Sequence, residues 1–183
     1  AAQAGGEYIL LLNDDMEIIE ENWLRILLGQ ALLPGTGAVG AKLWYPDGEK
    51  IQHAGVTNMH IGPSHKLVTF PDDRTYYYGH NTVTYDMIAV TAACLLVKKS
   101  IYQEVGGLDE DMAVSYNDVD FCFRIFEAGY RNVIRNDAVL LHHESASRGL
   151  DELSSEKWLR LLQEKTKLYK KHPLFYKSDP YYS

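Results

Sequence analysis

Short apolar runs ending in acidic or histidine-rich corners alternate along this chain with longer amphipathic stretches. Tyr8-Ile9-Leu10-Leu11-Leu12 is continuous and apolar, bounded by Gly5-Gly6 on one side and Asn13-Asp14-Asp15 on the other. A run this short between turn residues predicts a buried strand. Over 20–33, Trp23, Ile26, Leu27 and Ala31 recur on one face and Pro34-Gly35 follows, which predicts a helix. Residues 38–45 predict a second strand, Pro46-Asp47-Gly48 a turn, and 50–56 a returning hairpin partner. Residues 88–98 predict another buried strand. Val105-Gly106-Gly107-Leu108-Asp109 is a glycine turn, and Asn117 is placed to cap a helix over 118–128 that Gly129 closes. A strand over 133–141 runs into His142-His143-Glu144. A last amphipathic helix spans 155–171, with Trp158, Leu161, Leu162 and Tyr169 inward and Pro173 as its stop. Strands alternating with helices predict an α/β layered fold.

The pattern weakens over 58–82. Gly62-Pro63, Pro71-Asp72-Asp73 and Tyr76-Tyr77-Tyr78-Gly79-His80 read as a long surface excursion, of the kind that often serves as a lid or binding loop. The tyrosines there can stack on a sugar ring or pack against the domain face.

Size and charge narrow the picture. With 183 residues, 46% of them apolar, one domain with a real core is expected. Lys and Arg number 18 against 25 for Asp and Glu, a net charge of -7. Such a chain lacks the basic surface that neutralises phosphates, so nucleic acid is not an expected partner. Cys94 and Cys122 lie inside apolar segments without metal spacing, as reduced buried thiols do. The longest apolar run, 87–97, is shorter than the ~20 residues of a membrane span, which leaves peripheral membrane contact open. Ala1 to Gly6 resemble the tail and glycine stop of a helix with no start, which predicts a piece of a longer polypeptide.

Three polar corners can carry chemistry. Asp14 and Asp15 fall at the carboxyl end of the first strand, where open α/β sheets bind ligands. Adjacent carboxylates repel unless a cation compensates, and Mg²⁺ and Mn²⁺ choose oxygen ligands of this kind. A plain turn or capping role is the competing explanation. Asp118 and Asp120 lie in the first turn of a predicted helix, where the macrodipole favours negative charge; either can serve as a general base or merely offset the dipole. His142 and His143 end a strand and can complete a divalent-metal shell, while Arg148 can hold a phosphate through two hydrogen bonds. The HExxH spacing of zinc proteases is absent.

In this order the corners resemble the family 2 glycosyltransferases, inverting sugar transferases of the GT-A fold. Residues 6–15 resemble the strand leading into the family's "DXD" metal and nucleotide motif. Val105 to Glu110 resemble its glycine turn. Asn117-Asp118-Val119-Asp120-Phe121-Cys122-Phe123-Arg124 with Ala128-Gly129-Tyr130 resembles its "ED" helix. His142-His143-Glu144-Ser145-Ala146-Ser147-Arg148-Gly149 resembles the histidine loop of members that build O-antigen and rhamnose-containing polysaccharides.

The resemblance implies a GT-A-like α/β layered sheet with flanking helices. Residues 1–150 would be the C-terminal part of the catalytic domain, and 151–183 a C-terminal amphipathic helix and tail. The family's first lobe, which holds the nucleobase pocket, would precede Ala1, so a truncated domain with weak or no activity by itself is implied. Asp15 matches the metal-binding aspartate, and His142, with His143 the alternative, the histidine completing the Mn²⁺ or Mg²⁺ shell. Asn13, Asp14, Ser145 and Arg148 would line the nucleotide and diphosphate. Asp118 matches the catalytic base, and Ala92, Ala93 and Asn117 would face the acceptor. Asn13 and Asn117 stand where many members carry Asp and Glu.

The implied reaction moves a sugar, rhamnose foremost, from a dTDP- or UDP-linked donor to a saccharide or lipid-linked saccharide, with inversion. The implied place is the cytoplasm, at the inner face of the membrane. A nucleotide-sugar or glycan binding module without turnover and a metal-dependent phosphohydrolase are the alternatives. An open sheet edge invites a second copy of the chain, making a homodimer.

Overall fold

The computed structural model describes residues 3–112, 115–143 and 155–182, with side chains of the last segment described from 158 onward. Nine strands and four helices follow in the order β1 (Tyr8–Leu12), β2 (Met16–Ile18), α1 (Trp23–Ala31), β3 (Thr36–Trp44), β4 (Ile51–His53), β5 (Val56–Met59), β6 (Gly62–His65), β7 (Tyr85–Met87), β8 (Cys94–Lys98), α2 (Lys99–Glu104), α3 (Asn117–Glu127), β9 (Arg131–His142) and α4 (Ser155–Lys171). Seven strands form one mixed sheet along the path β1-β8-β3-β9-β2, with β4 on β3 and β7 on β9. β3 and β9 run parallel, and β8 is antiparallel to both β1 and β3. The carboxyl ends of β1 and β9 therefore lie on the same side of the sheet. β5 and β6 make a separate hairpin.

Both faces of the sheet are covered, which is why its strands read as nearly continuous apolar runs. On one face, Trp23, Leu27 and Ala31 of α1 pack on Val39, Ala41, Leu43, Leu96 and Leu140. On the other, Ala38, Leu95, Val97 and Ile134 meet Phe121, Phe123 and Ile125 of α3. Alternate residues of β3 and β8 thus serve alternate cores, as the two-residue period of a strand requires. Leu168 of α4 and Phe175 join the second core.

Close approach between β3 and α3 depends on Gly37. A β-carbon there would overlap the Ile125 side chain and sit 3.1 Å from Tyr130 Cβ. Gly37→Ala is expected to destabilise the fold by about 1–3 kcal/mol, the usual effect of overpacking. A urea midpoint equal to the parent's would refute the close contact.

Several expectations change. Only Cys94–Lys98 of the strand expected over 88–98 is a strand. Residues 88–91 are buried and Ala92 half-buried; apart from a backbone bridge in which Ala89 O accepts from Val56 N, side chains bond to their backbone. Asn132 Nδ2 donates to Ile88 O at 3.0 Å, His53 Nε2 accepts from Thr91 N at 3.4 Å, and Asp118 Oδ2 accepts from Ala92 N at 3.1 Å. One bridge to Val56 and bonds from distant side chains stand in place of the ladder that apolar composition alone suggests.

The surface excursion over 58–82 holds the β5–β6 hairpin and a 3-10 turn at Tyr77–Gly79. Asn58 there is fully buried. It takes Tyr169 Oη at 2.5 Å and donates to Phe175 O and Ser178 O, which ties the hairpin to the C-terminal segment. Tyr77 and Tyr78 are exposed, whereas Tyr76 packs edge-on against Phe70.

Asn117 is the first residue of α3 and not its cap. Tyr116 precedes it with φ of 62°, and the Asn117 side chain accepts from the Asp118 amide. Trp158, expected inward, is 49% exposed, and Leu168 takes the buried position on α4. β2 is a short edge strand that the pattern did not reveal.

Candidate active site

The turn 13–15 leaves β1 and enters β2. Its start is pinned because Asn13 N donates to Ala93 O at 3.0 Å; its end is pinned because His143 N donates to Asp15 O at 3.0 Å. These bonds bring Asn13 and Asp15 to the end of β9, beside His142, more than a hundred residues later. Asp14 is exposed in the turn.

His142 is buried and its ring is held on both nitrogens. Nδ1 lies 2.6 Å from Gln52 Oε1, and Nε2 lies 3.2 Å from Asn13 Nδ2. The Gln52 amide is oriented by its own nitrogen, which donates to His142 O at 3.4 Å. Gln52 Oε1 can only accept, so Nδ1 carries the proton and Nε2 presents its lone pair. That lone pair accepts from Asn13 and sits 3.1 Å from Asp15 Oδ1. Asp15 Oδ1 is buried and has no hydrogen-bond donor of its own.

An imidazole lone pair beside an orphaned carboxylate oxygen is repulsive unless a cation or a proton stands between them. This is the donor set a borderline-hard divalent ion prefers, and Gln52 is the kind of partner that orients a ligating histidine. Asp15 and His142 therefore fit a Mn²⁺ or Mg²⁺ ion. Among the described residues no cluster of three or more His, Cys, Asp or Glu is present, so substrate oxygens or water would complete such a shell. His143 points elsewhere, with Nε2 2.9 Å from Glu17 Oε2.

Asp118, in the first turn of α3, is tied to the same corner through residues 92–93. Its Oδ2 accepts from Ala92 N at 3.1 Å and its Oδ1 from Val119 N at 2.8 Å. The carboxylate remains half-buried at the helix start, free of any cationic partner among the described residues, and able to accept a further proton donor. Asp120 is different. It is fully buried, with Arg124 Nη2 at 2.6 Å, Lys171 Nζ at 2.5 Å and His172 Nε2 at 3.1 Å. It holds α3 to the C-terminal segment and is not placed to meet a substrate.

Asn117 lies half-buried next to Asp118, and Ala92 and Ala93 bridge the two halves of the site, one bonded to Asp118 and the other to Asn13. Ser145 and Arg148 lie outside the described residues. Two side chains that the sequence did not single out matter here: Gln52, which orients His142, and His53. Burial, with the nearby His65 and His142, pushes the His53 pKa well down, which keeps it neutral and able to accept the Thr91 amide. A glutamine and a histidine beside an apolar hairpin strand gave no spacing signal.

The fold is GT-A, the fold of glycosyltransferases. Its architecture matches that of a mannosyltransferase from Pyrobaculum calidifontis solved with GDP-Man and Mn²⁺, with a TM-score of 0.53 at 14% identity over 96% of this chain and 48% of that one. It also matches GalNAc-T7 solved with UDP, GalNAc and Mn²⁺, with a TM-score of 0.58 at 14% identity over 97% of this chain and 36% of that one.

In sequence, the whole chain is similar to part of the O-antigen biosynthesis protein RfbC of Myxococcus xanthus, 37% identical over 186 residues. It is 40% identical over 185 residues to uncharacterized protein y4gI of Sinorhizobium fredii. A third relative is the N-acetylglucosaminyl-diphospho-decaprenol L-rhamnosyltransferase of Mycobacterium tuberculosis, 38% identical over 65 residues, or 36% of this chain and 21% of that protein. The chain spans 20% of the length of y4gI and 14% of that of RfbC. No protein-family model matches it. The resemblance to an O-antigen biosynthesis protein thus rests on whole-chain similarity, and that to a rhamnosyltransferase on 36% of the chain. No helix among the described residues is long and apolar enough to cross a membrane.

Proposed function

We propose that this chain carries the metal-binding and acceptor-activating part of an inverting glycosyltransferase. The donor is a dTDP- or UDP-linked sugar, rhamnose foremost, and the acceptor a saccharide or lipid-linked saccharide of a cell-surface polysaccharide. The observation that carries this reading is that residues 92–93 join two features. Ala93 O accepts from Asn13, which bonds His142 beside the orphaned Asp15 oxygen, and Ala92 N donates to the Asp118 carboxylate at a helix start.

Asp15 and His142 would hold a Mn²⁺ or Mg²⁺ ion, which when bound offsets the charge of the departing diphosphate. Asn13 donates to the His142 lone pair and would give it up to the ion, and as a neutral amide it brings less negative charge to a diphosphate than a carboxylate would. Asp118 accepts the proton of the acceptor hydroxyl as its oxygen bonds to the anomeric carbon. The bond from that carbon to the diphosphate oxygen breaks on the opposite face, so the configuration inverts. The Ala92 amide holds Asp118 in place for this step. The relatives favour this reading over a glycan-binding module without turnover and over a phosphohydrolase.

Calorimetric titration of UDP and dTDP tests it. Binding is expected to require Mn²⁺ or Mg²⁺, and Asp15→Ala is expected to weaken it by about 10–100-fold, the loss of one charge-assisted contact. Metal-independent binding, or full affinity in the variant, would overturn the assignment of the metal site.

A further inference from the structure

A cavity of about 480 Å³ lies away from Asp15 and His142, between the β5–β6 hairpin, the loop that follows it and the C-terminal segment. Phe70, Tyr77, Tyr78 and Tyr182 supply aromatic surface to its wall. Tyr77 is 64% exposed and Tyr78 completely so. Two adjacent tyrosines held out in water present ring faces to a ligand and not to a core. Their backbone is strained for that purpose. Leu67, Thr69, Tyr77 and Tyr78 are four of the six non-glycine residues with positive φ among those described, and such outliers persist where surrounding structure enforces them, commonly at ligand sites.

The enforcement is visible. Asp72 accepts from Lys42 Nζ at 2.6 Å, Trp44 Nε1 at 2.9 Å and Asn81 Nδ2 at 2.7 Å, and Asn81 Oδ1 accepts from Tyr76 N at 2.9 Å. A buried ion pair thus anchors the tyrosine loop to β3.

The cavity's charge runs against that of the chain. In a protein of net charge -7 the wall carries no carboxylate and does carry Lys66, while burial and Lys66 itself lower the pKa of His80, so that Lys66 is the positive charge there. The Lys66 ammonium is bonded to His80 Nδ1 and the Tyr182 hydroxyl and lies over the Tyr85 and Tyr182 rings, with no ion-pair partner among the described residues. Burial lowers its pKa to about 8, against a weaker opposing effect of Asp179, so it is still mostly charged at neutral pH. A cation that makes no ion pair among the described residues, beside exposed aromatic rings, is the complement of a sugar that bears an acidic group.

The cavity also backs onto the candidate active site. The His65 ring lies 4.7 Å from that of His53, which accepts from Thr91 N, and the next amide, Ala92 N, donates to Asp118. His65 Nδ1 further lies 3.4 Å from the carbonyl of Gln52, the residue that orients His142.

We propose that this cavity is a subsite for an acidic sugar residue of the acceptor glycan, stacked on Tyr77 and Tyr78 and charge-paired with Lys66. The identification of the ligand as acceptor rests on the sugar-transfer reading above; the binding of an acidic saccharide does not. The subsite would hold the growing chain beside Asp118 and select glycans by charge.

The test uses trigalacturonate and its fully methyl-esterified form, which has the same rings without the charges. Binding is read by saturation-transfer NMR and calorimetry without metal or nucleotide. Trigalacturonate is expected to bind at millimolar concentration, with saturation on its ring protons, and the ester more weakly. Tyr78→Ala, at an exposed position where folding is not at risk, is expected to weaken both by up to about tenfold. Lys66→Met, checked for folding by circular dichroism, is expected to abolish the preference for the acid.

No binding of either probe, equal binding of both to the parent protein, or binding unchanged in both variants would overturn the proposal. Metal-dependent nucleotide binding is a separate measurement. Its success with failure here would leave the transfer reading standing, and the reverse result would leave a saccharide site without that reading.

Discussion

Asp118→Ala is expected to lower the rate of sugar transfer by about 10²–10⁴-fold, the contribution of a positioned general base, with nucleotide affinity unchanged. The carboxylate touches neither Asp15 nor His142. Its contacts are the amides of Ala92 and Val119. Asp118→Asn is the sharper variant, because an asparagine oxygen can still accept from Ala92 while the amide cannot take a proton. The loss should fall on kcat and leave KM for the donor largely intact, as befits a group that acts only in the transition state. Initial rates with UDP- and dTDP-sugars provide the measurement. Near-parental turnover by the asparagine variant would remove Asp118 from the mechanism.

Asp120→Ala is expected to act on stability instead, by about 3–5 kcal/mol. Asp120 is fully buried and meets Arg124, Lys171 and His172 together. Removing it would leave three cationic groups facing one another, with Arg124 Nη1 still bonded to Val105 O in the glycine turn. Burial alone would raise the Asp120 pKa, but hydrogen bonds from His172, Lys171 and Arg124 outweigh it and hold the group far below the ordinary carboxylate range. Its folded pKa is depressed, so its stabilisation is present above the unfolded value of about 3.9 and is lost only as pH falls toward the folded one.

His172 carries the opposite sign. Burial disfavours its charge, yet hydrogen bonds to Asp120 and Glu127 prevail and raise its pKa. Its stabilisation is complete below the unfolded value of about 6.5 and is lost as pH rises through the higher folded value. Denaturant midpoints taken across this range should therefore fall on the alkaline side for the parent protein and less steeply for Asp120→Ala. A variant within about 0.5 kcal/mol of the parent at neutral pH, as for an ordinary surface substitution, would contradict the clamp.

Much of the fold was legible because local forces wrote it. The apolar run before Asn13 became β1, although as an edge strand in which Ile9 alone is buried, the face of Trp23, Leu27 and Ala31 became the buried face of α1, and Ser155–Lys171 became α4. Each depends on the two- or 3.6-residue period of its own side chains and on nearby stops such as Gly35, Gly129 and Pro173. The apolar segment 88–98 misled for the converse reason. Burial is what an apolar run specifies, and burial of 88–91 was achieved with one bridge to Val56 and side-chain bonds from Asn132 and His53 in place of a full strand ladder.

By itself the sequence determined the alternation of strands and helices, the glycine turn, the buried thiols and the corners where carboxylates and histidines fall. Tertiary structure alone decided which of those groups can act. Asp118 and Asp120 share one helical turn and the same local chemistry, yet Lys171 and His172 neutralise one while the Ala92 amide presents the other. His142 and His143 are neighbours, yet the last residue of β9 meets Asp15 and Gln52 while the residue just beyond the strand meets Glu17. The physical reason is distance along the chain. Propensity and periodicity act over a few residues, whereas a charge's environment is made by groups brought together from dozens to more than a hundred residues away.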